Sequence, residues 1–370
     1  MSPPVHGSVV IVGAGPAGLA TAIHLGQRGV RDVVIVDRAD FPRDKTCGSA
    51  VSPKGIEALA RLGVREAVFR EAYTVRGLRL VTPGGRVLDL MGHTDAAVIC
   101  CRRTLDELLL RRALDLGVRF IPRFNAHWLL TRGDRVCGVR TRDGQEVEAA
   151  FTVVADGAHS RFGLERGERR LIQAIMGWWD GVPTHEHRIE MVFDALVAPH
   201  YGWLFPEGNG RVNIGICYED PKRERNARRL FDTFLDAHYR DRLQGARQAG
   251  ALKGHPILWC DDVRRLASPG RLVVGEAGRM THPATAEGIY QGLLSGILAA
   301  EALAAVVNDG EDEARAAARF ERACRAAFER SFRFAAYWRY GIGAGALDLV
   351  ARGVDLKPVQ RALARGMAKM

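Results

Sequence analysis

The residues Gly13-Ala14-Gly15-Pro16-Ala17-Gly18 have the spacing that lets a backbone close on a diphosphate. Gly13 permits a tight turn, Gly15 lets the main chain approach the pyrophosphate, and Gly18 lets a helix pack onto the preceding strand. Free N–H groups at that helix's start, from Ala17 onward behind Pro16, then face the anion. Asp37 lies 19 residues beyond Gly18, at the end of the next apolar run, where a carboxylate accepts hydrogen bonds from a ribose. The chemistry is dinucleotide binding; this motif alone does not separate a flavin from a nicotinamide. Other residues suggest a reaction beside it. Cys47 has Arg43 and Lys45 as basic neighbours and is either a proton donor or a small buried residue in a tight loop. Tyr201, Trp203 and Phe205 alternate, so on a strand they share one face, as the wall of an apolar cavity or as sheet core.

These residues need elements to hold them. Residues 8–12 read as a buried strand, 16–28 as a helix and 33–36 as a second strand, a βαβ unit. A helix is expected over 52–62, with Pro53 at its start, and another over 104–116. Residues 76–90 read as a hairpin around Pro83-Gly84-Gly85. Strands are expected over 118–121 and 126–130, then a hairpin of 135–140 with 146–150 around Asp143-Gly144. A separate apolar strand over 151–155 leads to Asp156-Gly157. From 169 to about 217 short strands rich in Val, Ile, Phe and Trp predict an antiparallel sheet. A helix follows over 226–243, then a strand over 271–274, a glycine loop, and a long helix over 288–307. The last 60 residues read as helical, broken at Gly341-Ile342-Gly343-Ala344-Gly345. No internal repeat or low-complexity linker is visible.

Three motifs in order carry a resemblance. The Gly-Pro-Ala-Gly turn, Val153-Val154-Ala155-Asp156-Gly157-Ala158-His159-Ser160 and Val273-Val274-Gly275-Glu276-Ala277-Gly278 resemble the three cofactor motifs of the FAD-dependent aromatic-hydroxylase superfamily, whose FAD-binding domain is of the glutathione reductase type. Asp44-Lys45-Thr46-Cys47-Gly48 and Pro199-His200-Tyr201-Gly202-Trp203-Leu204-Phe205-Pro206, with Arg211-Val212-Asn213-Ile214-Gly215 and the 281–296 segment, are similar to the geranylgeranyl reductase family within it. The resemblance covers roughly residues 8–305 and implies an α/β fold. That fold has a Rossmann-like FAD-binding domain (1–75, 100–165 and 266–310), an antiparallel-sheet substrate domain (76–99 and 166–265) and a helical C-terminal segment (311–370).

The same resemblance implies noncovalent FAD at Gly13, Gly15, Pro16, Ala17, Gly18, Asp37, Arg38, Lys45, Cys47, Gly48, Arg102, Asp156, Gly157, Gly275, Glu276, Gly288 and Ile289. Arg103 is the alternative to Arg102. Cys47 becomes the expected catalytic residue, with Tyr201, Trp203, Phe205 and Pro283 lining the substrate. The implied reaction is reduction of carbon–carbon double bonds in a prenyl or other apolar substrate, with NAD(P)H as electron donor. A flavin-dependent monooxygenase, a halogenase and a membrane-docked flavin-binding module are the alternatives. Trp178-Trp179-Asp180-Gly181-Val182-Pro183 only distantly echoes a halogenase Trp-x-Trp-x-Ile-Pro segment. Glu276 departs from the aspartate usual in the third motif; its extra methylene shifts the contact with the ribityl chain.

Composition sets the outer bounds. With 370 residues, 47% hydrophobic and 26% charged, the chain can build two cores and is not disordered. Seven scattered cysteines without a C-x-x-C pair argue against a zinc or iron–sulfur site, so no metal is expected. The apolar run at Val9 is too short for a signal peptide and no stretch reads as a membrane span, so a cytoplasmic protein is expected. Of the net charge of +10, most falls after residue 313, where 12 Arg and Lys face 4 Asp and Glu. Such a surface suits nucleic acid, a lipid surface or plain solvation. Phe328, Phe332, Phe334, Tyr337, Trp338 and Tyr340, interleaved with Arg325, Arg330, Arg333 and Arg339, suit peripheral membrane contact, with packing onto the parent domain and solvated arginines as the alternatives; no nucleic acid is expected. Nothing in the sequence sets the oligomeric state.

Overall fold

Val9–Val12 and Val33–Val36 are continuous apolar runs, the pattern of strands covered on both faces. In the computed structural model, which describes residues 5–92, 97–163, 170–341 and 347–353, they form the middle of a parallel sheet. Its strands run Arg271–Val273, Glu146–Val154, Val5–Val12, Val33–Val36 and Arg119–Ile121 across the sheet, with Ala267–Ser268 added at one edge. The helix Pro16–Gln27 connects the first two strands in the chain.

The expected division at residue 150 is corrected here. Residues 146–154 are one strand that pairs with Val5–Val12 along nearly its whole length. On its other side it pairs antiparallel with Arg135–Thr141 near its start and parallel with Arg271–Val273 near its end. The helix expected over 104–116 begins earlier, at Arg102, and spans Arg102–Asp115. The helix expected over 226–243 divides at Tyr239 into Ala227–His238 and Arg240–Leu243.

A second sheet holds the strands Arg170–Asp180, Arg188–Val192, Gly202–Gly208, Arg211–Tyr218 and Lys253–Trp259, with the hairpin Gly77–Val81/Val87–Met91 at one edge. It is antiparallel except at one join, where Arg188–Val192 runs parallel to Gly77–Val81. The helix Ala227–His238 covers its back with Phe231 and Phe234, against Leu204, Ile214 and Ile216. Its front carries Tyr201, Trp203, Phe205, Met176 and Trp259.

Two helices join these layers. Ile289–Asp309 is long and apolar enough to cross a bilayer by composition, but its Leu293, Ile297, Ala300 and Leu303 are buried in the core of the first sheet. Glu313–Gly341 lays Phe320, Cys324, Phe328 and Phe332 on that core and Ala336 on the front of the second sheet. At its end the buried Arg339 pairs with Glu219 at 3.3 Å and lies 4.1 Å over the Trp259 ring. The helical tail is therefore seen over 313–341 and Leu347–Gly353; its glycine break at 342–346 and residues 354–370 lie outside the described residues.

Candidate active site

The helix Pro16–Gln27 starts at Gly15 with no side-chain cap, so its first N–H groups are open to a ligand. A β-carbon on Gly15 would point into a space where the nearest atoms are Arg102 Nη2 at 3.7 Å and Arg43 Nη2 at 4.0 Å. Two guanidinium groups and a helix N-terminus thus converge on one small volume, the donor set a diphosphate requires. Both cations are held by Asp106. Arg102 binds it with Nε at 2.8 Å and Nη2 at 2.7 Å, and Arg43 Nη1 lies 3.2 Å away. Burial works against the charge on Arg102, but Asp106 and then the Cys47 sulfur outweigh it and keep the group protonated. Arg102, not the exposed Arg103, is therefore the site arginine. Asp106 and Arg43 were not among the expected cofactor contacts. The i, i+4 spacing of Arg102 and Asp106 on one helix was the available signal.

Asp37 accepts from Ala14 N–H at 2.8 Å and from Ala39 N–H at 2.9 Å, which fixes the turn and leaves one lone pair on each oxygen for a ribose. Arg38 is exposed at the rim and its charge acts on Asp156 and His159. Asp156 has a buried Oδ1 with no partner, and burial pushes its carboxyl up to about 6. A buried acceptor without a donor suits a ligand hydroxyl. The cradle over Gly15 and this orphaned oxygen both fit a flavin dinucleotide.

The third motif reaches the same place because Gly275, whose N–H donates to Ser295 Oγ at 2.9 Å, packs against Ala17. The helix Ile289–Asp309 crosses Pro16–Gln27 on small residues. A β-carbon on Gly296 would overlap the carbonyl of Ala17 and come within 3.0 Å of Thr21 Oγ1. This close crossing brings the start of the second helix, at Gly288 and Ile289, alongside that of the first. Glu276 turns its carboxylate to the second sheet, accepting from Leu258 N–H at 3.1 Å with His255 Nε2 at 3.8 Å. Burial would raise this carboxyl, but the His255 hydrogen bond and the Lys45 charge hold it below its ordinary range. Lys45 contacts His255 at 3.4 Å, and burial lowers its own pKa.

Cys47 and Gly48 lie where the cradle meets the aromatic face. The Cys47 sulfur accepts from Ser49 N–H at 3.3 Å and touches the Arg102 guanidinium. A β-carbon on Gly48 would stand 3.2 Å from Phe205 Cε2 and 3.4 Å from Trp203 Nε1. Tyr201, Trp203 and Phe205 do share one face; successive ring centroids lie 6.3 and 6.0 Å apart. Trp203 donates to Asn213 Oδ1 at 2.6 Å, so the buried Asn213 fixes the indole. Tyr201 donates to Thr285 O at 2.5 Å; burial raises its pKa well above the ordinary phenol range. That bond ties the aromatic face to the loop carrying Pro283 and Gly288. His282 braces the loop from the other side through Ser331 Oγ at 3.2 Å, and burial with the nearby Lys54 charge pushes its pKa down to about 4.

A Rossmann-type diphosphate cradle at an uncapped helix start, joined to an aromatic-faced second sheet, defines a flavin-dependent oxidoreductase. The chain belongs to the FAD binding domain family, whose model matches residues 6–335. It is 33% identical over 326 residues to menaquinone reductase of Mycobacterium tuberculosis, covering 83% of this chain and 78% of that one. It is 28% identical over 345 residues to digeranylgeranylglycerophospholipid reductase 2 of Methanopyrus kandleri, covering 88% and 84%. A geranylgeranyl bacteriochlorophyll reductase-like protein from Thermoplasma acidophilum shares the fold with a TM-score of 0.86 at 19% identity, over 96% of this chain and 93% of that one. The protein is an FAD-dependent oxidoreductase.

Proposed function

We propose that the protein saturates carbon–carbon double bonds in the prenyl chain of a lipid or quinone, with reducing equivalents from NAD(P)H. The observation that carries this reading is the contact of the Cys47-Gly48 loop with the Trp203 and Phe205 rings, which sets a thiol beside an apolar wall. Two relatives named for reduction of prenylated molecules support the substrate class. Bound FAD supplies hydride chemistry. Arg43, Arg102 and the start of Pro16–Gln27 bind its diphosphate, and Tyr201, Trp203 and Phe205 align an apolar chain and keep water off it. Cys47 Sγ would give its proton to one alkene carbon, with the hydride for its neighbour supplied by the reduced flavin, so that the π bond is replaced by two C–H bonds. Arg102 and the Ser49 N–H stabilise the thiolate that remains, which recovers a proton from water.

The test is an anaerobic assay of FAD-loaded protein with NADPH, NADH or dithionite and a prenylated quinone or digeranylgeranyl lipid. A dihydro product formed without oxygen is expected. A product that appears only with oxygen, and carries an oxygen atom, would replace this reading with a monooxygenase.

A further inference from the structure

The helix Glu313–Gly341 has two faces that a sequence pattern alone merges. Cys324, Phe328, Phe332, Ala335, Ala336 and Arg339 are buried. Arg325 is also engaged, donating to Val263 O at 3.1 Å. The opposite face of the last turns should be polar in a helix whose outer side meets only water. Instead Phe334, Tyr337 and Trp338 are 67%, 81% and 45% exposed. With the exposed Arg330 and Arg333 they follow at i, i+3, i+4, i+7 and i+8, which places all five on one face. The Phe334 and Trp338 rings stack at 5.8 Å and 14° on the outside of the molecule. Tyr340, 56% exposed, flanks them.

We propose that this face docks on an anionic phospholipid bilayer, with Phe334, Tyr337 and Trp338 entering the headgroup boundary and Arg330 and Arg333 contacting lipid phosphate. Aromatic rings with a polar edge partition to that boundary. The charge is complementary: the chain carries a net +10, with 12 basic against 4 acidic residues after position 313. Arg330 makes no ion pair with a described residue, so its charge is available. Arg333 pairs only along its own helix, with Glu329.

Flotation of the full-length, FAD-loaded protein with vesicles of phosphatidylcholine alone, and with phosphatidylglycerol added, tests the proposal without any substrate. Binding at low salt that requires the anionic lipid is expected. The triple variant Phe334→Ser/Tyr337→Ser/Trp338→Ser should lose binding about tenfold or more. Arg330→Gln and Arg333→Gln should each weaken it about fivefold, an effect that salt erases in the parent. Both sets alter only exposed side chains, so FAD content and melting temperature should not move. No flotation at low salt would overturn the proposal. So would a homodimer, detected by light scattering, that the triple variant dissociates, because the face would then belong to a second copy.

Discussion

At the residue scale, the site separates groups that hold charge from groups that hold protons. Cys47 contacts Arg102 and faces the aromatic wall through Gly48. Cys47→Ser should retain FAD and slow product formation by about ten- to a thousandfold in single-turnover assays, the loss typical of a positioned proton donor. An unchanged rate would leave Cys47 a packing role. Glu287 lies in the loop that Tyr201 ties down, within the 281–296 segment that carries the family resemblance. Its Oε1 is buried without a partner, and burial raises its carboxyl from 4.5 to about 7. The folded chain therefore holds a proton that the unfolded chain releases over this interval. Stability from this group is complete below the unfolded pKa and is lost as pH rises through the folded one. Glu287→Gln should remove that loss. The FAD-free variant should match the parent near pH 4 and exceed it near pH 8 by on the order of 1 kcal/mol or more. A difference independent of pH in urea titrations would show that Glu287 titrates alike in the folded and unfolded chains.

At the element scale, the crossing of Pro16–Gln27 and Ile289–Asp309 is the geometric requirement for the cofactor site. Gly296→Val should push the helices apart, cost about 1–3 kcal/mol and cause FAD loss on gel filtration. Full retention of the flavin would mean that the second helix start does not help to hold it. The βαβ unit, the glycine turns and both long helices were legible in the sequence because each follows a local period. The division placed at residue 150 was not local. Glu146-Val147-Glu148-Ala149 alternates and Phe151-Thr152-Val153-Val154 is continuously buried, because the neighbour on one side changes from Arg135–Thr141 to Arg271–Val273. One strand in two environments reads as two strands. The parallel pairing of Arg188–Val192 with Gly77–Val81 joins segments remote in sequence, and no periodicity reports such a pairing. The shared carboxylate of Asp106 was hidden for a related reason: one of its partners, Arg43, comes from a distant loop.

At the scale of the whole molecule, Glu313–Gly341 spans both sheets and is fastened at its end by Arg339. The guanidinium lies between Glu219 at 3.3 Å and the Trp259 ring, and Glu219 also faces the fully buried His200 side chain at 3.2 Å. Arg339→Met should destabilise the protein by about 3 kcal/mol, since it leaves a partly buried carboxylate with less opposing charge. Arg339→Lys should not restore it, because a lysine cannot lay a planar cation on the tryptophan ring. A loss below about 0.5 kcal/mol in chemical denaturation would show that the apolar stripe alone fixes the helix.

The order of the strands has a consequence for how the chain comes to hold its cofactor during synthesis. The glycine turn at 13–18 leaves the ribosome more than 250 residues before the strand and helix that complete its surroundings, at 271–273 and 289–309. Until those segments emerge, the apolar flank of Pro16–Gln27 that Ile289–Asp309 covers has nothing against it, and the flavin lacks its second helix start. Nascent chains arrested before residue 271 should therefore retain no flavin. FAD enters after those segments exist, as a ligand that draws together parts of the chain remote in sequence and stabilises the finished fold by mass action.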